Sequence, residues 1–293
     1  MFEQLLILGA VASAVYALLS LGFTLSFGIA RIVNMAHGSF FMLGAYLYFY
    51  YGARGSGKLD VFPSLILAAI TVAIIGAVFY RSAIHSVMGD DIALIVVTIG
   101  GALVFQQAVT IVFGVGHLTI NPLWEGAIHI SNVAVTYSKI LALTISLSLF
   151  ACVSIFISKT KMGRAMKALA QDREAAMLMG INTEALATLT VAIAGAMGAV
   201  AGTLIPASTS QMADPFMWTP PLTIAFAVVI LGGLGSIKGT LIGALILGFS
   251  ETAVGLYFPQ GGFLKTAVAL GVMVTVLLIR PRGLFGKRIE LEE

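Results

Sequence analysis

Long apolar stretches separated by short polar ones run from residue 5 to residue 280. A helix needs about 20 apolar residues to cross a lipid core, with roughly 17 as the lower limit. On that measure we place spans near 5–30, 35–51, 62–80, 92–113, 140–157, 185–205, 219–235, 239–258 and 263–280, the second being short for a full crossing. Small residues four apart recur inside them, as in GAMGAVAG at 195–202 and GGLGSIKGTLIG at 232–243, and such spacing lets helix backbones approach closely in lipid. The expected fold class is therefore all-α: a polytopic integral membrane helical bundle of about 8–9 transmembrane helices, forming one domain over residues 1–293. Nine crossings would leave the two ends on opposite sides.

Two stretches break the apolar pattern. Between Gly114 and Ser138 lies the longest loop, and residues 128–137 alternate partly with period two, which predicts a short hairpin on the surface. Within this loop Trp124 reads equally as a contact for an external partner or as an interfacial anchor, and no metal-ligand spacing links His117 with His129. Residues 161–184, KMGRAMKALAQDREAAMLMGINTE, are amphipathic. Arg164, Lys167, Gln171 and Glu174 recur at spacings of three, four and three, while Met162, Met166, Leu169, Ala176 and Met179 gather elsewhere around the helix. An interruption is expected at Asp172, which N-caps a second short helix with Glu174 in its first turn and Gly180 at the C′ position. This segment either lies in lipid headgroups or docks on another protein, and its alanines and methionines suit an adaptable protein contact.

Composition removes the soluble alternative. The 293 residues are 59% hydrophobic and 10% charged, too few charges to coat a water-facing surface of this size. Mean hydropathy is +1.03. The opening Met1-Phe2-Glu3-Gln4 has no basic region before its apolar run, so the first segment is expected to be retained as a helix. Cys152 is the single cysteine and sits in an apolar span, which rules out an internal disulfide and leaves packing as its reading.

Charge then orients the chain. With the N-terminus outside and the C-terminus in the cytoplasm, twelve basic residues fall inside: Arg31, Arg81, Lys159, Lys161, Arg164, Lys167, Arg173, Lys238, Arg280, Arg282, Lys287 and Arg288. Arg54, Lys58, Lys139 and Lys265 are then the four outside. The net charge of +3 thus reports topology, and nucleic acid is not implied as a partner. Residues 52–59, GARGSGKL, resemble a phosphate-binding loop but carry Leu59 where a Ser or Thr hydroxyl should hold Mg²⁺. They also face the exterior, so no ATP site is expected in this chain, and neither a cofactor nor a metal is called for. No intramembrane His pair or Ser–Lys arrangement points to a membrane enzyme.

Polar groups inside spans are costly and each needs a reason. Glu251 is the one acid clearly within a span, where it either lines a path or is hydrogen-bonded inside the bundle. Gln106 and Gln107 stand about 100° apart around one helix, so one faces a path and the other packs. Asn34, His37 and Gly38 interrupt two apolar segments, reading either as an inner turn or as a break beside a path. A single embedded acid is a poor relay for the alternative of an ion-coupled secondary transporter.

The run from Glu174 through Ala175 and Ala176 to Gly180 resembles the coupling loop by which ATP-binding-cassette (ABC) importer permeases engage their ATPases. Four stretches are similar to the branched-chain amino acid (LivH-like) permease family: YALLSLGFTLSFGIARIVNMAHGSFFMLGAY, MGRAMKALAQDREAAMLMGIN, LGGLGSIKGTLIGALILGFSE and the tail RPRGLFG. The resemblance implies an importer permease of a bacterial-type inner membrane. It would pair with a second permease subunit, identical or homologous, two cytoplasmic ATPase subunits and an external solute-binding protein. Its solute would be a branched-chain or other amino acid, with amides or urea as related cargoes. Coupling would then fall to Arg164, Lys167, Asp172, Arg173, Glu174, Ala175, Ala176 and Gly180, and the path or gate to Asn34, His37, Gly38, Gln106, Gln107 and Glu251. Met35 and Ser39 stand where the family's NFAHGE-like segment has Phe and Glu, a departure that points to an altered ligand preference.

Overall fold

A computed structural model of the chain describes residues 1–52, 57–130, 133–209, 212–258, 261–281 and 283–286. Half of GARGSGKL, residues 53–56, and the counted Arg54, Arg282, Lys287 and Arg288 lie outside the described residues. All nine stretches read as crossings are helices: α1 (Phe2–Gly28), α2 (His37–Tyr51), α3 (Val61–Phe79), α4 (Asp91–Phe113), α5 (Tyr137–Lys159), α8 (Thr183–Thr209), α9 (Thr219–Gly232), α10 (Ile237–Tyr257) and α11 (Gly261–Ile279). Between α5 and α8 come α6 (Lys161–Gln171) and α7 (Arg173–Leu178). Helix α3 continues through a π-helical turn, Tyr80–Ile84, and a 3₁₀ turn, His85–Val87. Strands β2 (Ala127–Ile130) and β3 (Val133–Thr136) form the expected antiparallel hairpin. Strands β1 (Leu118–Thr119) and β4 (Met212–Ala213) pair the loop after α4 with the loop after α8, a contact too short to leave a sequence pattern.

Among the described residues six helices are long and apolar enough to cross a membrane: α1, α3 with its extension, α4, α5, α8 and α10. Helices α2 and α9 are not, with 15 and 14 residues. At 1.5 Å per residue each is about 22 Å long, short of a core of about 30 Å. Both instead begin part-way along the bundle. The His37 ring reaches the carbonyl of Leu19 in α1, at 3.0 Å. Leu19 lies nine residues before the end of α1 at Gly28, or about 14 Å along its axis. On the other side, the start of α2 packs against Gly198, in the middle of α8. Helix α9 opens with Pro220 and Pro221, whose missing N–H groups cost nothing in a first turn. Its entry at Trp218 meets Gly38, at the start of α2. The two half-length helices therefore meet at their N-termini inside the bundle and run toward opposite ends.

The rest of the packing follows the same two-part pattern. Helix α1 lies along α10 as α8 lies along α3, and α2 packs on α8 as α9 packs on α1. The four-helix run α1–α4 is thus repeated, inverted, by α8–α11. Glycines allow this closeness: a Cβ at Gly202 would strike the carbonyl of Phe41, and one at Gly44 the backbone of Ala199. Helices α1, α2 and α8 form the buried centre, whereas α3 turns a stripe of Ile66, Ile70, Ile74 and Val78 outward as an apolar exterior.

Candidate functional site

Two regions at opposite ends of the bundle carry the candidate residues. One is a cavity of about 890 Å³, lined by the first two-thirds of α1, the end of α8, the start of α9 and the end of α10. Its walls are largely aliphatic, with Val11, Val15, Leu19, Ile205 and Ile224 among them, and Phe41, Met217 and Pro221 near the meeting point of α2 and α9. The charged groups Lys139, Asp214 and Lys265 also line it.

Glu251 is part of this cavity's wall and only 3% exposed. The Tyr16 hydroxyl donates to its Oε2 at 2.6 Å, while Oε1 has no hydrogen-bond partner among the described residues. Helices α1 and α10 run antiparallel, and side chains tilt toward the N-terminus of their own helix, so Tyr16 and Glu251 lean toward each other. An acidic side chain at the centre of a membrane helix costs about 3 kcal/mol, and one hydroxyl offsets only part of that.

The remaining path candidates do not line the cavity. Asn34 and His37 are fully buried and build the corner between α1 and α2. Asn34 Oδ1 accepts from the Ala36 N–H at 3.1 Å, His37 Nε2 meets the Leu19 carbonyl, and the imidazole packs edge-on against Phe23 and Phe40. Gly38 lies under Trp218, where a Cβ would collide with its carbonyl. The two glutamines point to different sides of α4, and neither faces the cavity as the spacing led us to expect of one of them. Gln106 turns inward and its Oε1 accepts from Trp218 Nε1 at 2.6 Å, whereas Gln107 is exposed on the outer face of α4. Trp218 is thus the shared contact of Gly38 and Gln106.

The second region is the α6–α7 segment. Thr160 caps α6, its Oγ1 accepting from the Gly163 N–H at 3.0 Å. Gly163 is required by the tight corner with α5, where a Cβ would meet the backbone of Ile157. Asp172 does interrupt the segment and caps α7, accepting from the Ala175 N–H at 2.9 Å. Gly180 has φ +76, and the N–H groups of Gly180 and Ile181 return to the carbonyls of Met177 and Ala176, the paired bonds that end a helix. Met166, Leu169 and Ala176 are buried against the bundle. Met162 and Met179, grouped with them in the sequence pattern, are 47% and 81% exposed: Met162 lies in the first turn of α6, and Met179 follows the last residue of α7. Arg164, Lys167, Asp172, Glu174, Ala175 and Gly180 are exposed, and Arg173 is half-buried.

Other loops of the same end hold this segment in place. Arg31, at φ +54, donates from Nη2 to the carbonyls of Ala170 and Gln171, both at 3.0 Å, so a cation sits on the negative end of α6. Arg173 Nη1 donates to Met88 Sδ in the loop before α4. Arg81 pairs with Glu184 at 3.4 Å. The tail joins them, as the N–H groups of Leu284 and Phe285 donate to the last carbonyls of α9, at Leu231 and Gly232. Tyr16, Arg31 and Trp218 were absent from the sequence candidates. An acid in a span is a signal to look for a donor on another helix, and Tyr16 answers it, but nothing in the sequence pairs residues 16 and 251.

A bundle with an apolar cavity at one end, inverted half-helices at its centre and a capped amphipathic segment at the other has the form of a solute path. Residues 5–279 match the model of the family described as the branched-chain amino acid transport system permease component. The chain belongs to that family. It is 30% identical over 298 residues to the high-affinity branched-chain amino acid transport system permease protein BraD of Pseudomonas aeruginosa, covering 98% of this chain and 96% of that one. It is also 30% identical to the LivH permease protein of Escherichia coli K12 with the same coverage. A probable LivH permease of Methanocaldococcus jannaschii is 28% identical over 97% of this chain and 93% of its own length. The protein is accordingly a multi-pass membrane permease component.

Proposed function

We propose that this chain is the permease subunit of an ABC importer, forming half of the path for a branched-chain or similar aliphatic amino acid. The observation that carries this reading is the pairing of an exposed, capped α6–α7 segment at one end with an aliphatic cavity at the other, in a chain of the permease family. The solute class comes from the relatives' names and is supported by the cavity's aliphatic walls. ATP is hydrolysed in two partner subunits that dock on the α6–α7 end, a second permease completes the path, and an external binding protein delivers solute to the cavity end. The chain lies in the inner membrane with its N-terminus outside, an orientation supported by the excess of basic residues around α6 and α7.

Coupling follows from how the segment is held. Docking force on Glu174, Ala175 and the exposed tip at Leu178 and Met179 passes through Arg31 to the α1–α2 corner, and His37 joins that corner to Leu19 in the cavity wall. The test is uptake by proteoliposomes holding the permease pair, the ATPases and the binding protein. ATP-dependent accumulation of L-leucine is expected. Accumulation by this chain alone on a proton or sodium gradient, without ATP, would reject the reading.

A further inference from the structure

Resting on that reading, we infer that Glu251, held by Tyr16, is the cavity's recognition site for the solute's ammonium group. A carboxylate 97% shielded from solvent, with one oxygen bonded to Tyr16 and the other without a donor among the described residues, is an incomplete site. Buried charges are retained when a partner satisfies them. A cationic nitrogen with N–H donors completes it once the side chain turns Oε1, which is covered in this structure, toward the cavity. The surrounding surface says what else the molecule carries. Val11, Val15 and Leu19 on α1 and Ile205 and Ile224 across the cavity accept an aliphatic side chain. The exposed Lys265, which lines the same cavity, matches a carboxylate. Ammonium, carboxylate and aliphatic branch together describe an apolar α-amino acid. If Glu251 served only to join α1 to α10, the site would be indifferent to the solute's amino group.

The experiment uses the full transporter assembly without binding protein, in a Cys152→Ser background that removes the exposed native thiol. Ala12→Cys introduces a reporter one turn from Tyr16 on the half-buried cavity wall. The rate of its alkylation is followed against rising L-leucine and against 4-methylpentanoate, which lacks only the ammonium. A charge-assisted contact predicts that 4-methylpentanoate needs at least about tenfold more to give the same protection. Glu251→Gln should bring the two curves together. Equal protection by both compounds in the Glu251-containing protein overturns the inference, and that comparison stands even if the Gln variant does not assemble. No protection by L-leucine in an assembly that takes it up with ATP once the binding protein is added also overturns it, while leaving the importer reading intact. Gradient-driven uptake without ATP would instead sink the importer reading itself.

Discussion

The two ends of the bundle are built by different means. At the α6–α7 end the helix termini are closed locally, Thr160, Asp172 and Gly180 each satisfying backbone groups within three or four residues of themselves, and Arg31 reaches across the chain only to hold the segment in place. At the cavity end it is assembled across the chain, Tyr16 meeting Glu251 and Leu118 pairing with Ala213. A locally capped helix keeps its shape while the surface under it moves, which suits a part that receives force. A cavity made from four separated helices changes shape when those helices shift, which suits a part that binds and releases.

The contrast can be broken most severely at the bundle's centre. Gly202→Val puts side-chain carbon onto the Phe41 backbone, so α2 must leave α8. A loss on the order of 3 kcal/mol is expected, read as a large fall in thermal stability in detergent with the cavity lost. Next comes the exposed tip of α7, where Leu178 is 89% exposed. Leu178→Asp should leave thermal stability within about 0.5 kcal/mol but weaken capture of the ATPase by about 2 kcal/mol, measured by co-purification over a salt series. Gly180→Val tests the local end directly, because a β-branched residue at φ +76 costs about 1–2 kcal/mol and unwinds the end of α7. Faster hydrogen exchange at Met179 to Ile181, with the cavity end unchanged, is the expected signature. Arg31→Ala removes the cation from the end of α6 and should cost about 0.5–1 kcal/mol, seen as faster exchange in the last turn of α6. The smallest effect belongs to Glu184→Gln, since the Arg81–Glu184 pair is 69% and 42% exposed and screened by solvent. Less than about 0.5 kcal/mol of thermal stability should change.

The same contrast explains what the sequence made legible. Asp172 and Gly180 were readable because their chemistry acts on neighbours a few residues away, and the hairpin was readable from alternation. The existence of nine apolar helices followed from hydropathy. Their depth did not: residues 219–235 read as a crossing, but the helix starts at Thr219 inside the bundle and ends at Gly232. The choice between Gln106 and Gln107 needed Trp218, which lies 112 positions away. His37 and Asn34, which the family resemblance made candidates for the path or gate, are buried in the corner between α1 and α2. Glu251 was marked by its cost alone, and its partner came only with the packing of α1 against α10.

In the function proposed, the α6–α7 end receives work from an ATP-hydrolysing subunit. A photocrosslinking residue at Leu178, in cells making the whole transporter, tests it most directly. An adduct with an ATPase subunit is the result expected, with none from the same probe at Ile224 in the cavity wall; adducts with lipid alone at Leu178 would contradict the account.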